Sequence, residues 1–494
     1  MTARRPNRST VAALAGIVAA GAALRFATLD LQSLWIDEGA TVRLLRGDLG
    51  HLLDGIPDTE KTPPLYYLLA WLWTRALGTG EVGVRSLSAL VGVLTLPVVY
   101  SLGRELVSER AGLVAAALAA VNPLLVWYSQ EARAYALLVL LAALATLFAV
   151  RAAPPRADWD AGAGGRRPLA LWAVASSLAL ATHYFAIFVV LPLGAWLLLR
   201  APDRRGAARA SAGVAAAGLV LLPLAIDQSG NPGSNFIEGT ALATRVAQVP
   251  KQLLLGYDAP LEAALTAAGA VLGAIGLALA LTRTREGERS GALAAAALLA
   301  AAVGIPLVLA LGGADLLLSR NLIAAVPALA VVLAAGFASR PAGLGAAAAL
   351  CALSLVAVIA VLARPEYQRD DWRGVAEALG PAAAERAVVV NPVAGSVPLR
   401  LYASGLDEFP KALHPVSEID LVAVASRRPG QTPRPPRPPA PTVPGFAPAA
   451  RRETDTFTLI RLVAPRPTPI SAAGLAALRL DEGLAVTLLQ SPAR

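Results

Sequence analysis

Two adjacent acids, Asp37 and Glu38, follow the first apolar segment of a very apolar chain. A carboxylate at such a place can act as a general base that takes a proton from an attacking hydroxyl group. Because consecutive helical side chains diverge by about 100°, the two acids are expected to have separate roles. Trp35 and Ile36 precede Asp37 and imply that it is partly buried. We therefore predict Asp37 as the base and Glu38 as a structural or acceptor-side partner.

Cationic and aromatic residues accompany these acids near the ends of later apolar segments. Lys61 precedes a pair of prolines, and Arg320 begins a late apolar segment. Ionisable residues at membrane depth are costly and usually face the bundle interior or a wet cavity. The other residues predicted to line such a cavity are Tyr66, Arg85, Glu131, Arg133, Tyr135, His183 and Tyr184. Acids and cations that converge on one face predict a cavity for an anionic ligand.

Simpler interpretations compete with this one. Lys61 can extend its ammonium group to lipid headgroups without any catalytic role. Arg85 and Arg133 can be helix-end charges paired with Glu81 and Glu131. A lone histidine is more often structural than a ligand.

An adjacent acid pair is also a potential ligand pair for a divalent cation. No cluster of His, Asp and Glu with convincing ligand spacing joins Asp37 and Glu38 in the sequence. The chain has one cysteine, Cys351, which leaves no Cys-based metal site and no intrachain disulfide framework. We therefore expect no obligatory metal and no other cofactor.

The elements that position these residues are predicted to be membrane helices. The 494 residues are 56% hydrophobic and 16% charged, whereas soluble proteins average about 25% charged residues. This composition predicts an all-α polytopic membrane protein of about eleven transmembrane helices, because apolar runs near 20 residues recur along the chain. The predicted spans are 10–28, 83–103, 111–128, 133–152, 168–183, 184–200, 208–226, 261–282, 290–311, 320–338 and 341–363. In the nearly uncharged region 168–200, two short helices are expected to meet at His183 and Tyr184.

Loop charge predicts the orientation of these spans. The segment 63–78 is short, opens with two prolines and is rich in Trp and Tyr, which favours a helix lying at the membrane interface. If it does not cross, the arginine clusters fall on one side, as the positive-inside rule expects; if it crossed, every later cluster would move outside. The clusters are Arg4/Arg5/Arg8, Arg104/Arg110, Arg151/Arg156/Arg166/Arg167, Arg200/Arg204/Arg205/Arg209 and Arg283/Arg285/Arg289. The N-terminus is therefore predicted in the cytoplasm, and the net charge of +9 is explained without nucleic acid.

The first outer loop, 29–82, is predicted to carry interfacial helices. Leu44, Leu45, Leu49, Leu52 and Leu53 form one apolar stripe on a helix that is too short to span. The first 28 residues also resemble a signal peptide. Because many further spans follow, an uncleaved first helix is the simpler interpretation.

The chain is predicted to consist of a membrane domain, 1–363, and a small extracytoplasmic α/β domain, 364–494. The second domain begins with a short helix pattern followed by the buried strand AVVV. A proline-rich segment, 428–448, is typical of an extended linker. The stretch TFTLIRLV after it has strand character.

Several motifs resemble those of GT-C glycosyltransferases. LWIDEGA, EKTPPLYYLL, WYSQEARAYAL, LATHYFA and SRNLIAAVPAL occur in the order typical of the bacterial glycosyltransferase family 39 group, relatives of protein O-mannosyltransferases and the lipid A aminoarabinose transferase. The resemblance covers about residues 10–370. It implies transfer of a mannose-like hexose or a pentose from a polyprenyl-phosphate carrier to an acceptor hydroxyl on the outer face, with inversion.

The same resemblance implies roles for individual residues. Asp37 matches the general base, and Lys61 matches a contact to the carrier phosphate. Arg320 resembles a second phosphate-binding cation, although relatives often have Arg-Tyr where this chain has Arg320 and Asn321. His183 stands where some relatives have a basic residue, so we group it and Arg133 with the donor phosphate-binding residues.

Two other functions fit parts of the pattern. A transporter or flippase for lipid-linked saccharides would carry inverted repeats, broken helices and charges near span centres, whereas the charges here gather at one face. A non-catalytic relative that only binds polyprenyl phosphate stays open. The predicted partners are a polyprenyl-phosphate sugar donor and membrane lipid in the cell membrane, with a protein, lipid or glycan as acceptor.

Overall fold

The chain folds into two compact units, seen in a computed structural model that describes residues 7–155, 165–230, 240–425 and 434–492. One unit consists of Met1–Leu29 and Leu44–Ile359, and the other of Asp30–Arg43 and Ala360–Arg494. The second unit therefore combines the predicted C-terminal domain with a short segment from the first predicted outer loop. Arg4, Arg5, Arg156 and part of the predicted proline-rich segment, 428–433, lie outside the described residues.

The first unit is helical, which confirms the predicted fold class. Its helices, with the two that cross into the second unit, are α1 (Arg8–Phe26), α2 (Ile36–Arg46), α3 (Leu49–Thr59), α4 (Leu65–Leu77), α5 (Glu81–Leu106), α6 (Glu109–Val121), α7 (Pro123–Ser129), α8 (Tyr135–Ala152), α9 (Arg166–Thr182), α10 (Ile187–Arg200), α11 (Arg204–Ser229), α12 (Leu242–Leu255), α13 (Glu262–Arg283), α14 (Glu286–Leu311), α15 (Val326–Phe337) and α16 (Pro341–Ala363). Short 3-10 helices occupy Tyr184–Ala186 and Ser319–Ala325.

Within the described ranges, eight helical segments are long and apolar enough to cross a membrane, and the bent pair α6 and α7 makes nine. The eleven predicted spans also require α9 and α10, which have 17 and 14 residues and are shorter than the roughly 20 residues of a typical span. These two helices meet at His183 and Tyr184, as predicted.

The pair α6 and α7 bends by 59° at Asn122. The Asn122 side chain accepts a hydrogen bond from the backbone N–H of Leu125 at 3.0 Å, and Pro123 opens the new helix without an N–H group of its own. The buried Arg25 donates to the carbonyls of Ala120 at 2.8 Å and Ala119 at 3.2 Å. Arg25 therefore satisfies carbonyl groups that the break leaves without helical partners.

The structure has two helices, α2 and α3, where the sequence predicted one surface helix after Asp37. The prediction of a single leucine stripe along one helix is therefore wrong. The break lies at Gly47 and Asp48, where the Asp48 side chain caps α3 by accepting from the backbone N–H of His51 at 2.8 Å. Leu52 is buried whereas Leu53 is exposed. Leu44 and Leu45 before the cap are buried and Leu49 just after it is exposed, so the stripe is interrupted at the cap.

The second unit contains a six-stranded mixed sheet. Its elements are α17 (Trp372–Leu379), β1 (Arg386–Asn391), α18 (Ser396–Tyr402), β2 (Leu406–Glu408), β3 (His414–Val424), β4 (Ala447–Glu453), β5 (Phe457–Ile470), α19 (Ala472–Ala476) and β6 (Val486–Gln490). The strand order is β2-β6-β1-β3-β5-β4, with β1 parallel to β3 and antiparallel to β6. The predicted strands at AVVV and TFTLIRLV are confirmed as β1 and β5.

Apolar side chains cover both faces of this sheet. Trp372 and Leu399, from α17 and α18, belong to one core cluster, and Leu475, from α19, belongs to the other. Residues 435–443 of the proline-rich segment have no regular secondary structure, whereas residues 447–448 at its predicted end belong to strand β4, which corrects that limit.

Candidate active site

The predicted site residues fall into both units, and each group is described by itself. Asp37 and Glu38 lie in the first turn of α2, in the part of that helix that belongs to the second unit. Glu38 is fully buried, at 0% exposure, whereas Asp37 is half-buried. The adjacent carboxylates therefore have different environments, as expected if their roles differ.

Side chains and backbone groups of the second unit fix the segment that leads into α2. The Ser33 hydroxyl donates to the carbonyl of Asp370 at 2.7 Å and accepts from the backbone N–H of Trp372 at 3.1 Å. The backbone N–H of Leu34 donates to the Tyr402 hydroxyl at 2.7 Å. The chain immediately before Asp37 is thus hydrogen-bonded to residues that precede or belong to α17 and α18.

Lys61 lies in a turn whose neighbouring residues are tightly bonded. The buried Glu60 carboxylate accepts from the Tyr67 hydroxyl at 2.6 Å and forms a salt bridge with Arg133 at 2.6 Å. Thr62 contacts the Tyr67 hydroxyl at 3.0 Å. Burial raises the pKa of Tyr67 well above its ordinary value, while Arg133 opposes that rise. Tyr67 therefore keeps the proton that it donates to Glu60. The Lys61 side chain, in the same turn, is exposed.

A second set of bonds fixes the backbone of the same turn. The Gln228 amide donates to the carbonyls of Ile56 at 3.2 Å and Thr62 at 3.3 Å. Its oxygen accepts from the Tyr184 hydroxyl at 2.8 Å. The predicted Tyr184 is therefore connected to the Lys61 turn through one glutamine.

Aromatic rings and cations gather around the predicted Tyr135 and His183. The Tyr135 ring lies 5.5 Å from the His183 ring and 4.4 Å from the Tyr128 ring, and the Tyr128 and Tyr257 hydroxyls are 2.6 Å apart. Burial raises the pKa of Tyr257, whereas its bond to Tyr128 and the charge of Arg320 oppose the rise. Arg320 thus lies within electrostatic reach of this cluster.

Four predicted charged or titratable residues lie within electrostatic reach of one another or of the tyrosine cluster. Arg133 and Arg320 both act electrostatically on His183, and the buried Glu131 acts on Tyr257. The His183 ring accepts from the backbone N–H of Phe185 through Nδ1 at 3.3 Å. Arg133 and Arg320 therefore lie within electrostatic reach of His183, and their convergence on an anionic ligand stays a prediction.

Two other predicted residues make contacts within the protein framework. The Tyr66 and Ser88 hydroxyls are 3.1 Å apart. Arg85 is 1% exposed and donates to the carbonyl of Leu29 at 2.7 Å. The Arg85 contact favours the structural interpretation of that residue.

Some residues of these networks were not predicted from the sequence. Glu60 stands beside Lys61 in the EKTPP motif, and this position could have indicated that Glu60 belongs to the same network. Gln228 and Tyr257 lie at helix ends without any motif. Arg25 lies near the end of the first predicted span, where an intramembrane arginine is itself a signal.

No group of three or more His, Cys, Asp and Glu side chains that could hold a metal ion occurs among the residues that the structure describes. The expectation that no metal is required stays a prediction.

Comparison with known proteins relates this arrangement to a family. Residues 61–226, about a third of the chain, match the model of the dolichyl-phosphate-mannose-protein mannosyltransferase family. The chain has the GT-C fold and is related to this family. The matched range contains Lys61, Arg133 and His183, whereas Asp37 and Arg320 lie outside it. No curated protein sequence gives a significant match.

Solved structures similar to this chain include an oligosaccharyltransferase and ArnT. The Archaeoglobus fulgidus oligosaccharyltransferase in complex with Zn and sulfate has a TM-score of 0.50 at 15% identity, over 79% of this chain and 61% of that one. ArnT from Cupriavidus metallidurans bound to undecaprenyl phosphate has a TM-score of 0.47 at 16% identity, over 67% of this chain and 61% of ArnT. The apo state of the same ArnT has a TM-score of 0.48 at 17% identity, over 67% of this chain and 60% of ArnT. The chain thus spans about three fifths of the structures it resembles.

Proposed function

We propose that this protein is a membrane glycosyltransferase that moves a monosaccharide from a polyprenyl-phosphate carrier to an acceptor hydroxyl group. The observation that carries the proposal is the family match over residues 61–226, which contains the exposed Lys61 beside the Glu60–Tyr67–Arg133 network. The family is named for a dolichyl-phosphate-mannose donor. We therefore propose a polyprenyl-phosphate sugar, with mannose as the first candidate.

The chemistry of such a donor fits the charges of the first unit. A polyprenyl phosphate is a good leaving group, so catalysis requires cations that stabilise the developing dianion rather than a general acid. We assign this role to Lys61 and Arg320, with Arg133 and His183 as neighbours of the phosphate. Arg133 forms an ion pair with Glu60, so we assign it a place beside the phosphate rather than the main contact.

The acceptor hydroxyl must lose a proton as it attacks, and one positioned carboxylate suffices for this step. We assign it to Asp37, which is half-buried. The hydroxyl oxygen forms a bond to the anomeric carbon as the phosphate leaves with the bonding electrons, and the proton passes to the Asp37 carboxylate. Attack from the face opposite the phosphate inverts the anomeric centre. A retaining glycosidase would instead need two carboxyl groups facing each other across the sugar.

The reaction is proposed for the outer face of the cell membrane, with the N-terminus in the cytoplasm. This orientation rests on the arginine clusters and on α4 not crossing. Reporter fusions that are active only outside the cytoplasm test it when placed after residues 80 and 108. We expect reporter activity from the fusion after residue 80 and none from the fusion after residue 108. Reporter activity from the fusion after residue 108 would mean that α4 crosses the membrane.

Transfer of labelled mannose from polyprenyl-phosphate mannose, and then of other lipid-linked sugars, tests the enzymatic proposal. Membranes containing the wild type are compared with those containing Asp37→Asn, which keeps the size of the side chain and removes the base. We expect transfer to fall by about 10²–10⁴-fold, the usual contribution of a general base.

The matched control is Asp54→Asn, because Asp54 is an exposed acid of the nearby helix α3 without an assigned role. It should transfer sugar at the wild-type rate. Equal transfer by Asp37→Asn and Asp54→Asn would refute the assignment of the base, and no transfer from any lipid-linked sugar by the wild type would refute the activity.

A further inference from the structure

The segment that carries Asp37 belongs to the same compact unit as the C-terminal sheet. Residues 30–43 contribute no strand to that sheet. They are held instead by the N-terminal end of α17 and by α18. This arrangement gives the C-terminal unit a direct structural connection to the residue proposed as the base.

The contacts before α2 involve backbone groups of both partners. Besides the bonds of Ser33 and Leu34, the Gln32 side chain accepts from the backbone N–H of Arg369 at 3.0 Å. Arg373 donates to the carbonyl of Asp30 at 2.9 Å. Because backbone groups are bonded, this part of the chain is fixed in position and direction.

The first turns of α2 are also packed directly against α18. A Cβ atom on Gly39 would lie 3.2 Å from both the N and Cα atoms of Pro398 and 3.3 Å from a Val397 methyl group. Such distances are shorter than ordinary van der Waals contact, so a side chain at position 39 would require α18 or α2 to move by a few tenths of an ångström. Gly39 follows Asp37 by two residues, and its contact therefore sets the position of the turn that carries the carboxylate.

The helices that make these contacts are themselves anchored in the core. Trp372 begins α17 and is 0% exposed, as is Leu399 of α18. Both belong to the apolar cluster on one face of the sheet. Movement of α18 relative to the sheet would therefore disturb close packing, which makes it a firm support.

We infer that the C-terminal α/β unit positions the general base: Tyr402 and Pro398 of α18 hold the N-terminal turn of α2 so that Asp37 meets the acceptor hydroxyl. This inference rests on the proposed function. It makes Tyr402 and Gly39 positioning residues, and it gives the C-terminal unit a part in catalysis in addition to any selection of acceptors.

The test uses the full-length protein with two substitutions. Tyr402→Phe removes only the hydroxyl that accepts from Leu34. Gly39→Ala places a methyl group against Pro398 while improving helix propensity in α2, so it does not act by unfolding that helix. Both should lower kcat at least about fivefold and leave the KM for the lipid-linked donor unchanged, because the residues assigned to the phosphate are not altered.

Hydrogen exchange provides a second readout that does not depend on activity. The amides of residues 30–43 should exchange several times faster in Tyr402→Phe than in the wild type. The control is Val443→Ala, which removes buried apolar volume from the other face of the sheet. It should leave the exchange of residues 30–43 and the kcat unchanged although it also lowers the stability of the unit.

Unchanged exchange in Tyr402→Phe overturns the inference, and so does faster exchange with wild-type kcat. An equal loss of kcat in Val443→Ala would also overturn it, because only general stability would then matter. Failure of the proposed base is seen separately, as wild-type transfer by Asp37→Asn.

Discussion

The Arg133 guanidinium lies 2.6 Å from the Glu60 carboxylate, although the two residues are 73 positions apart in the chain. The Glu60 side chain is 1% exposed and that of Arg133 is 12% exposed. This pair joins the turn before α4 to the turn before α8. The local framework of Lys61 therefore depends on an ion pair shielded from water.

Glu60→Gln should lower the free energy of unfolding by about 3 kcal/mol, because it removes the negative charge opposite the largely shielded Arg133 guanidinium. Chemical denaturation in detergent measures the change. Glu105→Gln is the matched control, since its partner Arg151 is 40% exposed and an exposed pair contributes less than about 1 kcal/mol. The double variant Glu60→Gln/Arg133→Met should regain part of the loss; strictly additive losses would argue against the pair.

Lys61→Ala should weaken the binding of polyprenyl phosphate by about 10- to 100-fold, since a hydrogen bond to a charged group contributes about 1.5–3 kcal/mol. Titration of the purified protein with the lipid phosphate measures the change, and Lys61→Arg should keep most of the affinity. Lys411→Ala provides the control because Lys411 is an exposed lysine of the second unit. Equal affinities of the two alanine variants would exclude Lys61 as a phosphate contact.

Arg25→Lys should destabilise the protein by about 2–4 kcal/mol despite keeping the charge. Arg25 bonds to Ser129 and to three backbone carbonyls, and one ammonium group cannot reproduce that fork of donors. Carbonyls left without partners in a buried site each cost about 1–3 kcal/mol. Thermal unfolding in detergent is the measurement, with Arg8→Lys at the exposed start of α1 as the control. A stable Arg25→Lys would show that charge alone is required.

Acidification should loosen α12 through Asp315. A hydrogen bond from Arg245 lowers the pKa of Asp315 below its ordinary value of 3.8, and Arg245 lies on α12. A group with a lowered folded-state pKa stabilises the structure above its unfolded pKa, and this contribution is lost as the pH falls through the folded value. Amides of α12 should therefore exchange faster, relative to their intrinsic rates, below about pH 4. In Asp315→Asn this pH dependence should be absent, and its persistence would contradict the assignment.

The sequence predicted elements wherever the physical signal is local. Apolar run length predicted the helices that could span a membrane, and β-branched runs predicted β1 and β5. The break after α2 was missed because the leucine spacing continues across Asp48, although an Asp before a helix is a capping signal. Local pattern therefore indicated the type of element better than its limits.

Long-range relationships were less accessible. Lys61 was predicted from its motif, but the ion-pair partner of Glu60 was not, because a charge pair across 73 positions leaves no periodic pattern in the sequence. The attachment of residues 30–43 to the second unit depends mostly on backbone groups, which every residue carries. Such contacts have almost no signature in side-chain type.

The discontinuity of the second unit has a consequence for biosynthesis. Residues 30–43 are made more than three hundred residues before the segment from Ala360 onward that completes their unit. At about 5–20 residues per second, this interval is roughly 15–65 s. During that time the segment bearing Asp37 has none of its α17 and α18 partners, so the proposed base reaches its native setting only after α17 and α18 have been made. A ribosome that stalls early would leave a membrane-inserted chain with an unassembled catalytic segment.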